Sequence, residues 1–208
     1  MIKFFVSLLY VSLILTPFIG NSQGIRFNSS ESSIVERTSY NLFAHDQQKF
    51  TGNFSIEFNL SIIDSKIFGY ILNIKDKNNP ISYSLVYIDN TESSGELKLN
   101  LDGVKKLISV PLEKEFLGSR KWMKINLNFK SSSKEITLSV NDKIFSSLEN
   151  EFNNTIVPEI FFGKHGSIID VPSMAIKDLV ITNKNNKAFF NFNESEGNAR
   201  QSINLLAR

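Results

Sequence analysis

Strict alternation of apolar and polar residues is the feature that most limits this chain, and it is clearest in Lys121 to Phe145, KWMKINLNFKSSSKEITLSVNDKIF. Met123, Ile125, Leu127 and Phe129 alternate with Lys124, Asn126 and Asn128; further on, Ile136, Leu138 and Val140 alternate with Thr137 and Ser139. Successive side chains of a strand point to opposite faces, so a period of two describes strands with one oily face and one wet face. The polar run Lys130 to Lys134 predicts a hairpin loop. Asn141-Asp142-Lys143, rich in residues that tolerate positive φ, predicts a second tight turn that returns through Ile144 and Phe145. The chain is built from antiparallel hairpins.

The same period recurs upstream. Phe54, Ile56, Phe58, Leu60 and Ile62 share one face, and Ser55, Glu57, Asn59 and Ser61 the other. Ile67 to Ile74 returns with Phe68, Tyr70, Leu72 and Ile74 on one side; apolar residues on both sides predict a central strand. Further strands are predicted at Ile25 to Phe27, Ile34 to Phe43, Ile81 to Ile88, Glu96 to Leu101, Lys106 to Val110, Glu159 to Gly163, Met174 to Thr182 and Lys187 to Phe192. Pro111 to Arg120 reads as a short helix or an ordered loop, and Ser146 to Pro158 has few apolar anchors. Roughly a dozen strands about ten residues apart, with no 3.6-residue period, predict an all-β sandwich or barrel.

Composition sets the bounds. A chain of 208 residues, 41% hydrophobic and with 18 Phe, can fill the core of one good-sized domain. The absence of cysteine excludes a disulfide, a thiolate metal site and a cysteine nucleophile. The net charge is +2, and Lys3 lies in a leader, leaving +2 − 1 = +1. So balanced a surface does not point to nucleic acid or to an anionic membrane.

Residues 1–22 read as a secretory signal peptide: Lys3, an apolar stretch from Phe4 to Leu15, a break at Thr16-Pro17, and small Gly20 and Ser22 before Gln23. The apolar stretch is shorter than the ~18 to 20 residues that cross a bilayer, and no later stretch qualifies as a transmembrane segment. The expected location is secreted or extracytoplasmic. Residues 23–192 are expected to form the domain, and residues 193–208 a polar tail or linker.

The order of segments narrows the fold. NFSIEFNLSI is followed by FGYILNI and YSLVY; KWMKINLNF leads to ITLSVNDKIF, then IFFG, then AIKDLVIT. This order resembles the concanavalin A-like, laminin G-type jelly roll, in which a tryptophan-led strand precedes a V-x-[ND]-G-like hairpin. The likeness covers Ile25 to Phe192, with Lys143 standing where the hairpin glycine is usual. It implies a two-sheet antiparallel sandwich that hosts either glycosidases or binding modules.

Catalysis lacks a motif. The E-x-D-x-x-E run of retaining glycosidases of this architecture is absent. Glu113 and Glu115 fall in a Lys-flanked segment that reads as a solvated charge cluster, and neither His45 nor His165 accompanies a G-x-S-x-G nucleophile. The expectation is a protein that is not an enzyme and binds carbohydrate. The alternative is a protein-interaction or spacer module at the N-terminus of a larger bacterial surface or sensor protein.

Sugar binding needs an aromatic platform beside planar polar groups. Tyr83 and Tyr87 lie on one side of a strand and Tyr70 on its predicted neighbour, although such stripes are more often core. The loop from Gly163 to Asp170 brings Lys164, His165 and Asp170 together between glycines that permit close approach. Tyr70, Tyr83, Tyr87, Lys164, His165 and Asp170 are therefore the candidate ligand contacts. The resemblance also implies calcium at the sandwich rim, with Asp89 and Asp170 the nearest equivalents by loop placement. Calcium takes about six to eight oxygen ligands, more than their sequence neighbours supply, so the expectation is no cofactor.

Overall fold

Two antiparallel sheets stack face to face in the computed structural model, which describes residues 24–91, 94–118, 120–184, 186–190, 192 and 203–205. In chain order the strands are β1 (Ile25–Arg26), β2 (Ser39–Asn41), β3 (Phe50–Thr51), β4 (Phe54–Asp64), β5 (Gly69–Asp76), β6 (Asn79–Thr91), β7 (Ser94–Leu101) and β8 (Lys105–Leu112). A 3₁₀ turn, Lys114–Phe116, precedes β9 (Met123–Lys130), β10 (Glu135–Val140), β11 (Lys143–Ser147), β12 (Thr155–Ile156), β13 (Pro158–Gly163), β14 (Ser173–Asn183), β15 (Asn186–Phe190) and β16 (Ile203–Leu205). One sheet runs β11-β10-β9-β4-β14-β15-β16, with β1 also on β14; the other runs β2-β13-β5-β6-β7-β8; β12 and β3 form a small pair. The signal peptide expected at residues 1–22 lies outside the described residues, as does all of the expected tail except β16, which pairs with β15.

The period of two sets the layers. Phe54, Ile56, Phe58, Leu60 and Ile62 of β4 and Met123, Ile125, Leu127 and Phe129 of β9 are all buried. They meet the inward side chains of the second sheet: Phe58 packs edge-on to Phe162 at 5.1 Å and Phe129 edge-on to Tyr83 at 5.4 Å. Burying side chains of this size stabilises the fold by about 1.5 to 3 kcal/mol each.

Local chemistry fixes the hairpins. Asn141 holds φ +52° in the two-residue turn between Val140 and Lys143, which already pair as strand residues. Lys143 therefore needs no positive φ, and a side chain there is no obstacle. Lys134, at φ +53°, closes the β9–β10 loop.

Three expectations change. Residues 34–38 form turns rather than strand, and β2 is confined to Ser39–Asn41. The segment after β11 is better anchored than its sequence suggests, because Phe152 is buried against Phe54, Tyr83 and Phe129. Finally, β5 contains a bulge: Tyr70 faces Val86 and Leu72 faces Leu85, so Ile71 is the extra residue. Tyr70 consequently leaves the side occupied by Leu72 and Ile74 and turns outward, while Phe68 lies exposed ahead of the strand.

Candidate functional site on the six-stranded sheet

The outward residues of β13, β5, β6, β7 and β8 form a face unlike the rest of the surface. Register places Phe161 beside Asn73, Asn73 beside Ser84, and Ser84 beside Asn100; one step along, Glu159, Lys75 and Ser82 line up. Although they point away from the core, Ser84 is 0%, Asn73 3% and Val86 7% exposed. Their low exposure sets these small side chains below their longer neighbours and gives the strip a shallow relief, the trough.

A hydrogen-bond cluster rigidifies the floor. Asp102 Oδ2 accepts from Ser82 Oγ at 2.6 Å, Ser84 Oγ at 2.8 Å and Asn73 Nδ2 at 2.9 Å. Asn73 Nδ2 also donates to Ser84 Oγ at 2.9 Å. Three donors converge on one oxygen and two of them bond to each other as well, so the cluster is pre-organised. The other oxygen, Asp102 Oδ1, carries none of these bonds.

One wall is aromatic. Gly163, at φ +73°, ends β13 where an added Cβ would collide with Thr38 O, and it turns the chain back over the sheet. A tight hairpin follows, with His165 and Ile168 exchanging backbone bonds of 2.8 Å. The His165 ring thereby stacks on Phe161 with centroids 3.6 Å apart and planes 10° from parallel. Burial pushes the His165 pKa down, helped by the positive charge of Lys75 and opposed by Glu159. The imidazole is neutral at neutral pH.

Ion pairs complete the walls. Lys75 meets Glu159 at 2.8 Å, and Lys98 meets Glu96 at 3.1 Å. Burial pushes the Glu96 carboxyl up, but hydrogen bonds from Asn90 and Lys98 and the charges of Lys98 and Lys106 together leave it below its ordinary value.

The structure separates the residues expected to bind. Tyr83 and Tyr87 are core residues, both 0% exposed, which corrects their assignment as a sugar platform. Their strand turns them inward, where Tyr83 Oη donates to Glu149 O and accepts from Glu151 N, and Tyr87 Oη donates to Ser65 O. Burial chiefly raises both phenols to about 12. Tyr70 is half-buried on the outward face, its N–H donating to Asp170 O at 2.9 Å beside the His165 loop.

Lys164 Nζ donates to Ile34 O at 2.8 Å. Asp170 faces Arg37 at 3.6 Å, and Arg37 also donates to the carbonyls of Ser30, Ser32 and Ile169. Lys164 and Asp170 thus stitch the rim loops together. Among the described residues no three His, Asp or Glu side chains gather as they would around a metal ion, Asp89 and Asp170 included.

Glu113 and Glu115 pair with Lys143 and Lys121 at the surface; the hydrogen bond and charge of Lys143 lower the Glu113 pKa. Phe161, Lys75, Glu159, Asn73 and Asp102 were not singled out from sequence. Their one signal is that Ser82 and Ser84 alternate with inward Tyr83, which marks that side of β6 as polar.

No protein-family profile matches the chain, and no curated protein matches it by sequence. Solved structures share its fold. Domains LG4-5 of the mouse laminin α1 chain are similar with a TM-score of 0.51 and 11% identity, over 86% of this chain and 46% of that one. The CBM40 module of a Ruminococcus gnavus sialidase, bound to α2,3-sialyllactose, gives 0.44 and 14% identity over 74% and 89%. An alginate lyase of Pseudomonas aeruginosa gives 0.45 and 13% identity over 64% and 65%. This chain spans less than two thirds of the laminin pair and of the lyase. The protein has a concanavalin A-like jelly-roll fold.

Proposed function

We propose that this protein is a non-catalytic carbohydrate-binding module that works outside the cytoplasm, with residues 1–22 as its leader, and that the trough on the six-stranded sheet is its ligand site. The observation that carries this reading is the juxtaposition of the His165–Phe161 stack with the Asp102-centred polar floor. A sugar ring presents an apolar face to an aromatic plane while its hydroxyls exchange hydrogen bonds with planar polar groups.

The state of the acids supports binding over bond cleavage. A general acid needs a raised pKa to hold its proton, whereas Glu96 is lowered and Glu159 is tied to Lys75. The test is affinity electrophoresis of the chain through gels containing soluble polysaccharides, paired with a reducing-end assay. Retarded migration without new reducing ends is expected; release of reducing ends would contradict the reading.

A second reading, docking of another protein, is favoured by exposed Ile34, Val35, Phe68 and Ile169 around the rim. It predicts that a Val35→Ser/Phe68→Ser double variant loses binding to a partner while keeping polysaccharide affinity unchanged.

A further inference from the structure

The charges on the trough point to the class of sugar. Lys75, Lys98 and Lys106 stand against Glu96, Asp102 and Glu159; the two recessed cations are already spent, Lys75 on Glu159 at 2.8 Å and Lys98 on Glu96 at 3.1 Å, while Lys106 lies exposed on the outer strand β8. These are partly recessed pairs, with side-chain exposures of 36% and 30% for the first and 24% and 15% for the second. We infer that the trough selects uncharged glycans and rejects those bearing uronate or sialate carboxylates. This rests on the reading of the trough as the glycan site.

The physics is a matter of partners. A sugar carboxylate is held by charge-assisted bonds from a cation free to make them. In the recessed part of the trough it would have to displace Glu159 or Glu96, or sit beside them and beside Asp102, and like charges brought together in an interface are costly; Lys106 offers only an exposed, solvent-screened charge at the edge. His165, neutral at neutral pH, supplies no counter-charge. A neutral sugar meets no such conflict, since its hydroxyls both donate and accept and so can use Asp102 Oδ1 and the lysine N–H groups without breaking an ion pair.

The same reasoning predicts how selectivity is reversed. Glu159→Gln removes the carboxylate that occupies Lys75 and leaves a recessed ammonium free to bind an acidic sugar.

Affinity electrophoresis of the full chain against laminarin, galactomannan and xyloglucan, and against alginate and polygalacturonate, is the experiment, with calorimetry on 3′-sialyllactose. Wild-type protein is expected to be retarded by at least one neutral polymer and by neither acidic one, with no heat from sialyllactose. E159Q, with a thermal melt matching wild type, is expected to gain affinity for the acidic polymers on the order of tenfold, fading as salt is raised.

Wild-type binding to an acidic probe as tight as to any neutral one overturns this inference, as does an E159Q variant that gains nothing. If that acidic binding is lost in His165→Ala, the trough remains the site and only its selectivity was misjudged. Binding to no probe at all removes the proposed function and this inference with it.

Discussion

The two outer faces of the sandwich are made from the same kind of alternating strand, yet they differ in relief. On the six-stranded sheet the shielded outward residues Asn73, Ser84 and Val86 adjoin one another, and the polar ones are hydrogen-bonded. On the eight-stranded sheet the corresponding Ser61 and Thr137 lie on different strands, and Ser61 Oγ has no hydrogen-bond partner. That face is otherwise a mosaic of surface pairs: Lys124 with Glu57 at 3.2 Å, Lys130 with Glu135 at 2.8 Å, and Lys177 over the Trp122 ring at 4.6 Å. A polar sheet face gains relief when short residues on its central strands sit below longer neighbours.

The largest expected effect separates the two sheets at high pH. Tyr83 and Tyr87 both belong to β6, and each has a folded-state pKa of about 12 against an ordinary 10.0. A raised pKa gives stability that is complete below pH 10 and is lost as pH rises through the folded value. The loss amounts to at most about 2.7 kcal/mol per tyrosine, since each unit is about 1.36 kcal/mol. Denaturant midpoints should fall steeply between about pH 10 and 12, with tyrosinate absorbance rising in step. Absorbance that rises fully while the fold persists would refute the burial account.

Next in size is Asp102→Ala, which takes the acceptor from Ser82, Ser84 and Asn73 and should cost about 2 kcal/mol in chemical denaturation. His165→Ala should then weaken polysaccharide binding about tenfold with little change in stability, while Trp122→Ala on the opposite face leaves affinity within about twofold. Equal losses from both would erase the distinction between the faces. The smallest effect belongs to Glu57→Gln, an exposed pair with Lys124, at under about 0.5 kcal/mol.

Much of the layering was legible in the sequence because burial follows a period of two, as β4 and β9 show residue for residue. The site was less legible for three reasons. The bulge at Ile71 shifts the phase of β5, so Tyr70 cannot be placed by counting from Ile74. Tyr83 and Tyr87 share the side opposite Ser82 and Ser84, but a tyrosine suits a core and a sugar platform equally by its type, and only burial decides between them. The partners of Asp102 and Phe161 come from distant strands or from a loop folded back over the sheet, and such meetings are set by topology rather than by local pattern.

The central claim is tested most directly by mapping contacts residue by residue. Amide spectra of the ¹⁵N-labelled chain would be recorded during titration with neutral hexasaccharides of glucose, mannose and xylose. The account predicts that at least one sugar shifts Lys75, Ser84, Lys98 and His165 together and leaves Lys124 and Lys177 in place. Shifts confined to the eight-stranded sheet or to the rim loops, or no shift with any sugar, would contradict it.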